Sequence, residues 1–293
     1  MKFIENSNEG VHCYNRFSAD FSDNIVKLNN RDYPLGTVSK MTANISKNEM
    51  DEILKLGGKA LNCYQTISVL GYNRNVFLIH KGVILDMLSY MKKLEIFQCF
   101  DYEESKKLID DLLSEESLDQ YEDFLSSEKP LTEERVLELK EIKKRYAYAI
   151  ELGLIYAYIG IDTANFATAV QNFTAKLMEK TSRQKSELAK TAFELFNDEL
   201  FMFFLEQSNP AGKIMWGFSV KSINTVVPVI DEVNEEYKIL RRVYFSRMMD
   251  FFVMDFFEAL SHGHYLWQCG ICGKYFLMTT AHRQLYHLLL VTM

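Results

Sequence analysis

Apolar side chains recur at steps of three and four residues along most of the chain, and the first 40 or so residues break that rule. There, Ile25-Val-Lys-Leu28, the polar Asn29-Asn30-Arg31-Asp32 and Tyr33-Pro34-Leu35-Gly36 read as a hairpin with a polar turn. Ser46-Lys-Asn-Glu49 then has the form of a capping box before the apolar series Ile53, Leu54, Leu56, Leu61 and Ile67. Gly57-Gly58 interrupts that series and predicts a kink or a split. Another helix is expected over about residues 76–97. Pro130-Leu-Thr132-Glu-Glu opens the next, with Thr132 as cap, and Leu139, Ile142, Tyr146, Ile150 and Gly153 trace its buried stripe.

Two more helices are expected over about 163–180 and 183–206, the second presenting Ala189, Phe193, Phe196, Leu200 and Phe203 on one face. Ser208-Asn-Pro210-Ala-Gly212 ends that pattern, and Trp216–Val229 reads as a short strand or extended connector. Ile230, Val233, Tyr237, Leu240 and Tyr244, continued by Phe251, Phe252, Phe256 and Phe257, predict one long helix. It ends near Ser261-His262-Gly263, where Gly263 takes the left-handed cap. The fold class is therefore mainly α: a multi-helix bundle with a small N-terminal β-hairpin and a C-terminal zinc-knuckle-like turn. Residues 1–262 form the helical body, with its β element over about 1–40, and 263–293 the knuckle-like segment.

Composition narrows the class. With 48% hydrophobic residues among 293, the chain is neither a disordered polyelectrolyte nor a repeat fibre, and it is long enough to hold a core without disulfides. The formal charge of −7 opposes generic attraction to nucleic acid. Residues 101–128 carry 11 acids against Lys106 and Lys107, yet keep Leu108, Ile109, Leu112, Leu113, Tyr121, Phe124 and Leu125 at helical spacing. They read as two short amphipathic helices with a solvated acidic face, or as a docking surface for a basic partner. The start has no apolar leader segment, and the greasiest stretch, Tyr146 to Ile161, is short of the roughly 20 apolar residues a span needs. No membrane association is expected. Five cysteines without framework spacing point to reduced thiols in a cytoplasm.

One segment carries chemistry. Trp267-Gln-Cys269-Gly-Ile-Cys272-Gly-Lys-Tyr-Phe276 places two cysteines two residues apart before a glycine, a base and an aromatic ring. A C-x-x-C turn aims both sulfurs at one point, backbone N–H groups offset the thiolate charge, and Gly273 permits the tight backbone. His282 and His287 are the downstream candidates for a four-ligand zinc site, spaced C-x2-C-x9-H-x4-H. That spacing is shorter than the roughly 12 residues of a ββα finger, and five residues turn about 500° on a helix, which would not aim both rings at one ion. His262 and His264, upstream, are alternative ligands or simply histidines favoured by a helix C-terminus.

The same residues, followed by Arg283 and Tyr286-His287, resemble the end of a group of uncharacterised bacterial proteins. Those proteins have a mostly helical body and then C-x-x-C-G-[KR]-x-F, a spacer, Tyr-Cys and a further cysteine. The resemblance covers about 20 residues. It implies that Cys269 and Cys272 are ligands and that His287 stands where a third cysteine is expected. The chain departs from the pattern in having no fourth cysteine, and it ends six residues after His287 on the apolar Leu288-Leu-Leu-Val291. The expectation is a chain truncated or frame-shifted within its zinc element. The family brings no activity with it.

The metal role is read as structural, with Zn as the ion and Cys269, Cys272, His282 and His287 as ligands, because no further acid or base lies beside the cysteines to activate a water. No P-loop, GxGxxG, nucleophile elbow or His-Glu-x-x-His occurs, and no Glu-x-x-His pair joins Asp162, Asp198, Glu199, Asp250, Asp255 and Glu258 into a di-iron pattern. The leading expectation is a non-enzymatic binding or regulatory protein whose knuckle contacts nucleic acid or a protein partner. Residues 259–293 hold Lys274, Arg283 and no acid, beside Trp267, Tyr275, Phe276 and Tyr286. An enzyme with its site among the helices, and a structural protein that self-associates through its aromatic helices, stand as alternatives.

Overall fold

The computed structural model describes residues 17–22, 24–28, 31–98, 101–126, 133–181, 185–202, 222–231, 236–245 and 247–279. The protein is mainly helical, with an antiparallel sheet, and divides into two compact units, one of residues 51–161 and one of residues 1–50 with 162–293. Among the described residues no helix is long and apolar enough to cross a membrane.

The unit of residues 51–161 contains most of α2 (Lys47–Leu70), α3 (Arg74–Met91), α4 (Tyr102–Leu112), α5 (Glu115–Ser126) and the first part of α6 (Glu133–Lys180). Ser46 and Glu49 form the expected capping box of α2: the Glu49 carboxylate accepts from Ser46 N–H at 2.7 Å, and Ser46 Oγ accepts from Glu49 N–H at 3.3 Å. α2 is continuous through Gly57-Gly58, so the helix is not split there. The absent Gly57 side chain lets a backbone approach instead, since a Cβ there would lie 3.1 Å from the Ala157 carbonyl. The helix expected through residue 97 stops at Met91, and a 3-10 turn, Glu95–Phe97, follows. The acidic stretch forms two helices, as its spacing predicts, and part of its charge is met locally: Arg74 pairs with Asp119 and Glu115, and Lys81 with Asp110 at 2.8 Å. Phe77, Tyr121 and Tyr146 pack together, the Phe77 and Tyr146 rings stacked at 5.8 Å.

The other unit holds a five-stranded antiparallel sheet of order β3-β2-β1-β5-β4, built from β1 (Phe17–Ser22), β2 (Ile25–Leu28), β3 (Arg31–Pro34), β4 (Ser222–Asp231) and β5 (Glu236–Phe245). The predicted hairpin is β2–β3, with Leu28 opposite Arg31, so Arg31 and Asp32 belong to the strand rather than the turn. The long helix expected from Ile230 is corrected: residues 236–245 are a strand paired with β1 and β4. Val, Ile and Tyr suit a pleated surface, and a chance three-and-four spacing yields to two flanking strands. Helix begins only at α8 (Met248–Ser261).

The helices expected separately before and after residue 162 are one, α6, and α7 (Lys185–Phe196) is shorter than its pattern suggests. Its buried positions are Leu188, Thr191, Ala192 and Leu195, while Phe193 is 69% exposed and Leu200, beyond its end, 82%. The buried stripe is thus offset from the predicted one; Phe203 lies outside the described residues. The Phe166 and Phe252 rings stack at 5.1 Å between α6 and α8. Against this frame pack α1 (Thr37–Ala43) and a second hairpin, β6 (Tyr265–Gln268) with β7 (Tyr275–Met278).

Candidate metal centre

α8 ends as its sequence predicts. Gly263 has φ 71, its N–H donates to the Leu260 carbonyl at 3.0 Å, and the His264 N–H donates to the Ala259 carbonyl at 2.8 Å. This Schellman arrangement satisfies the last helical carbonyls and turns the chain into β6. β6 and β7 pair from Tyr265 opposite Met278 to Gln268 opposite Tyr275, so the loop joining them is Cys269-Gly-Ile-Cys272-Gly-Lys274.

Three bonds shape that loop. Cys269 N–H donates to the Lys274 carbonyl at 2.9 Å, Gly273 N–H to the Cys269 carbonyl at 2.9 Å, and the Gln268 side-chain amide to the Gly273 carbonyl at 2.9 Å. Gly273 has φ 70, which a side chain would strain. Cys269 is buried and Cys272 is exposed. Trp267 and Phe276 lie opposite one another in the pairing and are buried at 2% and 4% exposure, a small apolar core beneath the loop.

The hairpin is held from outside. Asn44, at the C-terminus of α1, accepts from the Tyr275 N–H through Oδ1 at 2.8 Å and donates through Nδ2 to the Tyr275 carbonyl at 2.8 Å. The Gln268 N–H on the opposite edge faces Met178 Sδ at 3.4 Å. α1 is fixed at both ends: Gln171 donates to the Ala43 carbonyl at 2.8 Å, and the Asp255 carboxylate on α8 accepts from Gly36 N–H at 2.9 Å, Ser39 N–H at 2.9 Å and Ser39 Oγ at 2.8 Å. Burial pushes the Asp255 carboxyl up to about 6, against the pull of these donors and of His264.

Of the sequence-predicted ligands, Cys269 and Cys272 are brought to one turn, and His282 and His287 lie outside the described residues. His262 is exposed, its Nδ1 donating to the Glu258 carbonyl at 2.9 Å, and His264 is buried with Nδ1 donating to the Leu35 carbonyl at 3.0 Å. Both bond a carbonyl, one at the end of α8, as the reading of helix-terminal histidines anticipates for His262. Among the described residues no group of three or more His, Cys, Asp or Glu side chains converges on a point. The described part therefore brings two thiols to one turn, whereas a tetrahedral zinc site takes four ligands.

Several carboxylates serve helix ends. Asp162 accepts from the Met249 N–H at 3.1 Å at the start of α8 and forms a two-point ion pair with Arg247. Burial pushes the Asp162 carboxyl above its ordinary range, against the pull of that pairing. Asp198 accepts from the Phe201 N–H at 3.0 Å. Sequence reasoning missed Asn44, Gln268 and the capping roles of Asp162 and Asp255. Only Gln268, next to Cys269, carried a local signal.

Residues 219–287, a stretch that includes all four candidate ligands, match the model of a family described as of unknown function (DUF6076). No curated protein and no solved structure matches the chain.

Proposed function

We propose that the chain is a non-enzymatic binding or regulatory protein whose C-terminal hairpin is fastened by a structural zinc ion and whose knuckle tip contacts a partner. The carrying observation is the Cys269–Lys274 loop, where Gly273 at φ 70 and the paired backbone bonds between Cys269, Gly273 and Lys274 bring both cysteines to one turn. Cys269 and Cys272 would hold the ion together with His282 and His287. Bound there, zinc supplies a cross-link and no reaction: four protein ligands leave no open position for water or substrate. A reducing cytoplasm suits two thiols kept for metal.

The exposed surface of the loop favours a protein partner. Ile271 is 79% exposed at its tip, beside exposed Cys272 and Lys274. Trp267 and Phe276 are buried, which removes them as stacking platforms for bases. Titration of a labelled single-stranded oligonucleotide at low and high salt tests this. Absence of saturable binding fits the protein partner; binding that weakens with salt and is lost in Cys269→Ser assigns the knuckle to nucleic acid. A second reading, self-association through the aromatic helices, rests on Phe193 and Leu200, exposed at 69% and 82%. Light scattering of the wild type beside Phe193→Ser tests it, a concentration-dependent dimer lost in the variant being its signature.

A further inference from the structure

We infer that Asn44 is a positioning residue of the knuckle: it bonds the Tyr275 backbone rather than a cysteine, yet sets how tightly the loop takes up zinc. The inference rests on the zinc reading above. In an antiparallel ladder, alternate residues direct their N–H and C=O groups away from the paired strand. Tyr275 is such a residue, and the Asn44 amide takes both of its outward groups at 2.8 Å, as a neighbouring strand would. The contact joins residues 231 apart in sequence, so it is made only in the folded chain.

Its place in the loop gives it leverage. The residue before Tyr275 is Lys274, whose carbonyl accepts the Cys269 N–H, and Gly273 before that donates back to the Cys269 carbonyl. Fixing Tyr275 fixes the far leg of the turn on which both sulfurs ride. Asn44 is itself anchored, through a second Nδ2 contact to the Lys40 carbonyl at 3.0 Å, to a helix tied at its other end to Asp255. Preorganised outer contacts of this kind alter metal affinity about 10- to 100-fold when removed.

The test is zinc affinity of the full-length chain, measured by competition with a chromophoric chelator for wild type, Asn44→Ala, Asn44→Asp and Gln171→Ala. Gln171→Ala loosens the same end of α1 without touching the hairpin, so it should lower the melting temperature and leave zinc affinity unchanged. Asn44→Ala should weaken zinc binding about tenfold or more, and Asn44→Asp, which keeps the acceptor for Tyr275 N–H but sets a carboxylate oxygen against the Tyr275 carbonyl, should weaken it too. The thiolate-to-metal absorption of the cobalt-loaded chain should change in Asn44→Ala and not in Gln171→Ala. If Asn44→Ala does not fold, the same comparison is read from Asn44→Asp. A wild type that takes up zinc and an Asn44 variant that takes it up equally well overturn the positioning role alone. A wild type that takes up none overturns the zinc reading and this inference with it.

Discussion

The carboxylate of Asp255 accepts the backbone N–H of Ser39 at 2.9 Å across 216 residues of chain, so a side chain of α8 serves as the N-terminal cap of α1. A helix usually takes its cap from the residue that precedes it. Here that position is Gly36, which has no side-chain acceptor and whose own N–H also goes to Asp255.

Asp255→Ala leaves those donors buried without an acceptor, and should lower unfolding free energy by about 3 kcal/mol. Denaturant melts of the two proteins check it.

The pH dependence has a definite sign. Burial raises the folded Asp255 carboxyl to about 6, above an unfolded value of about 3.9. Its favourable contribution is thus fully present below about pH 4 and lost as pH rises through 6, an effect of about 3 kcal/mol. The difference in stability between wild type and Asp255→Asn should therefore shift against the wild type from pH 4 to pH 7. A pH-independent difference would count against a carboxyl that ionises in place.

His80 has the opposite sign. Its Nε2 donates to the Ala149 carbonyl at 3.1 Å, its Nδ1 is buried without a partner among the described residues, and burial lowers it to about 4. Its contribution is present above about pH 6.5 and lost as pH falls through 4. His80→Gln keeps an N–H for Ala149 and should remove this acid sensitivity, read from melts between pH 7 and pH 4.

Two glycine substitutions should split in sign. A Cβ at Gly153 would lie 2.3 Å from His80 Cε1 and 3.1 Å from the Ala60 carbonyl, whereas one at Gly58 meets none of the described residues within 4 Å. Gly58→Ala should stabilise by up to about 1 kcal/mol through helix propensity. Gly153→Ala should destabilise by about 1–3 kcal/mol despite the same gain, because the ring must move. Thermal melts decide both.

What the sequence made legible is local. The Ser46–Glu49 box, the Gly263 cap and the two acidic helices depend on residues within a few positions of each other, and all occur. A separate helix is expected from about residue 163, yet α6 runs on through it, and the Asp162 carboxylate reaches the Met249 N–H, 87 residues away. The strand at 236–245 was hidden for a related reason: its partner on one side, β1, lies more than 200 residues upstream, beyond the reach of periodicity. At the candidate centre the cysteine pair and Gly273 were visible as a motif, but Asn44 was not, since nothing around it in sequence points to Tyr275.

Cys269 and Cys272 are proposed as half of a zinc site. Elemental analysis of freshly purified protein, wild type beside Cys272→Ser, tests it most directly. Wild-type chain should carry about one zinc, the variant markedly less, and chelator should lower the melting temperature of the wild type alone. Wild-type protein without zinc, melting at the same temperature with or without chelator, would contradict it.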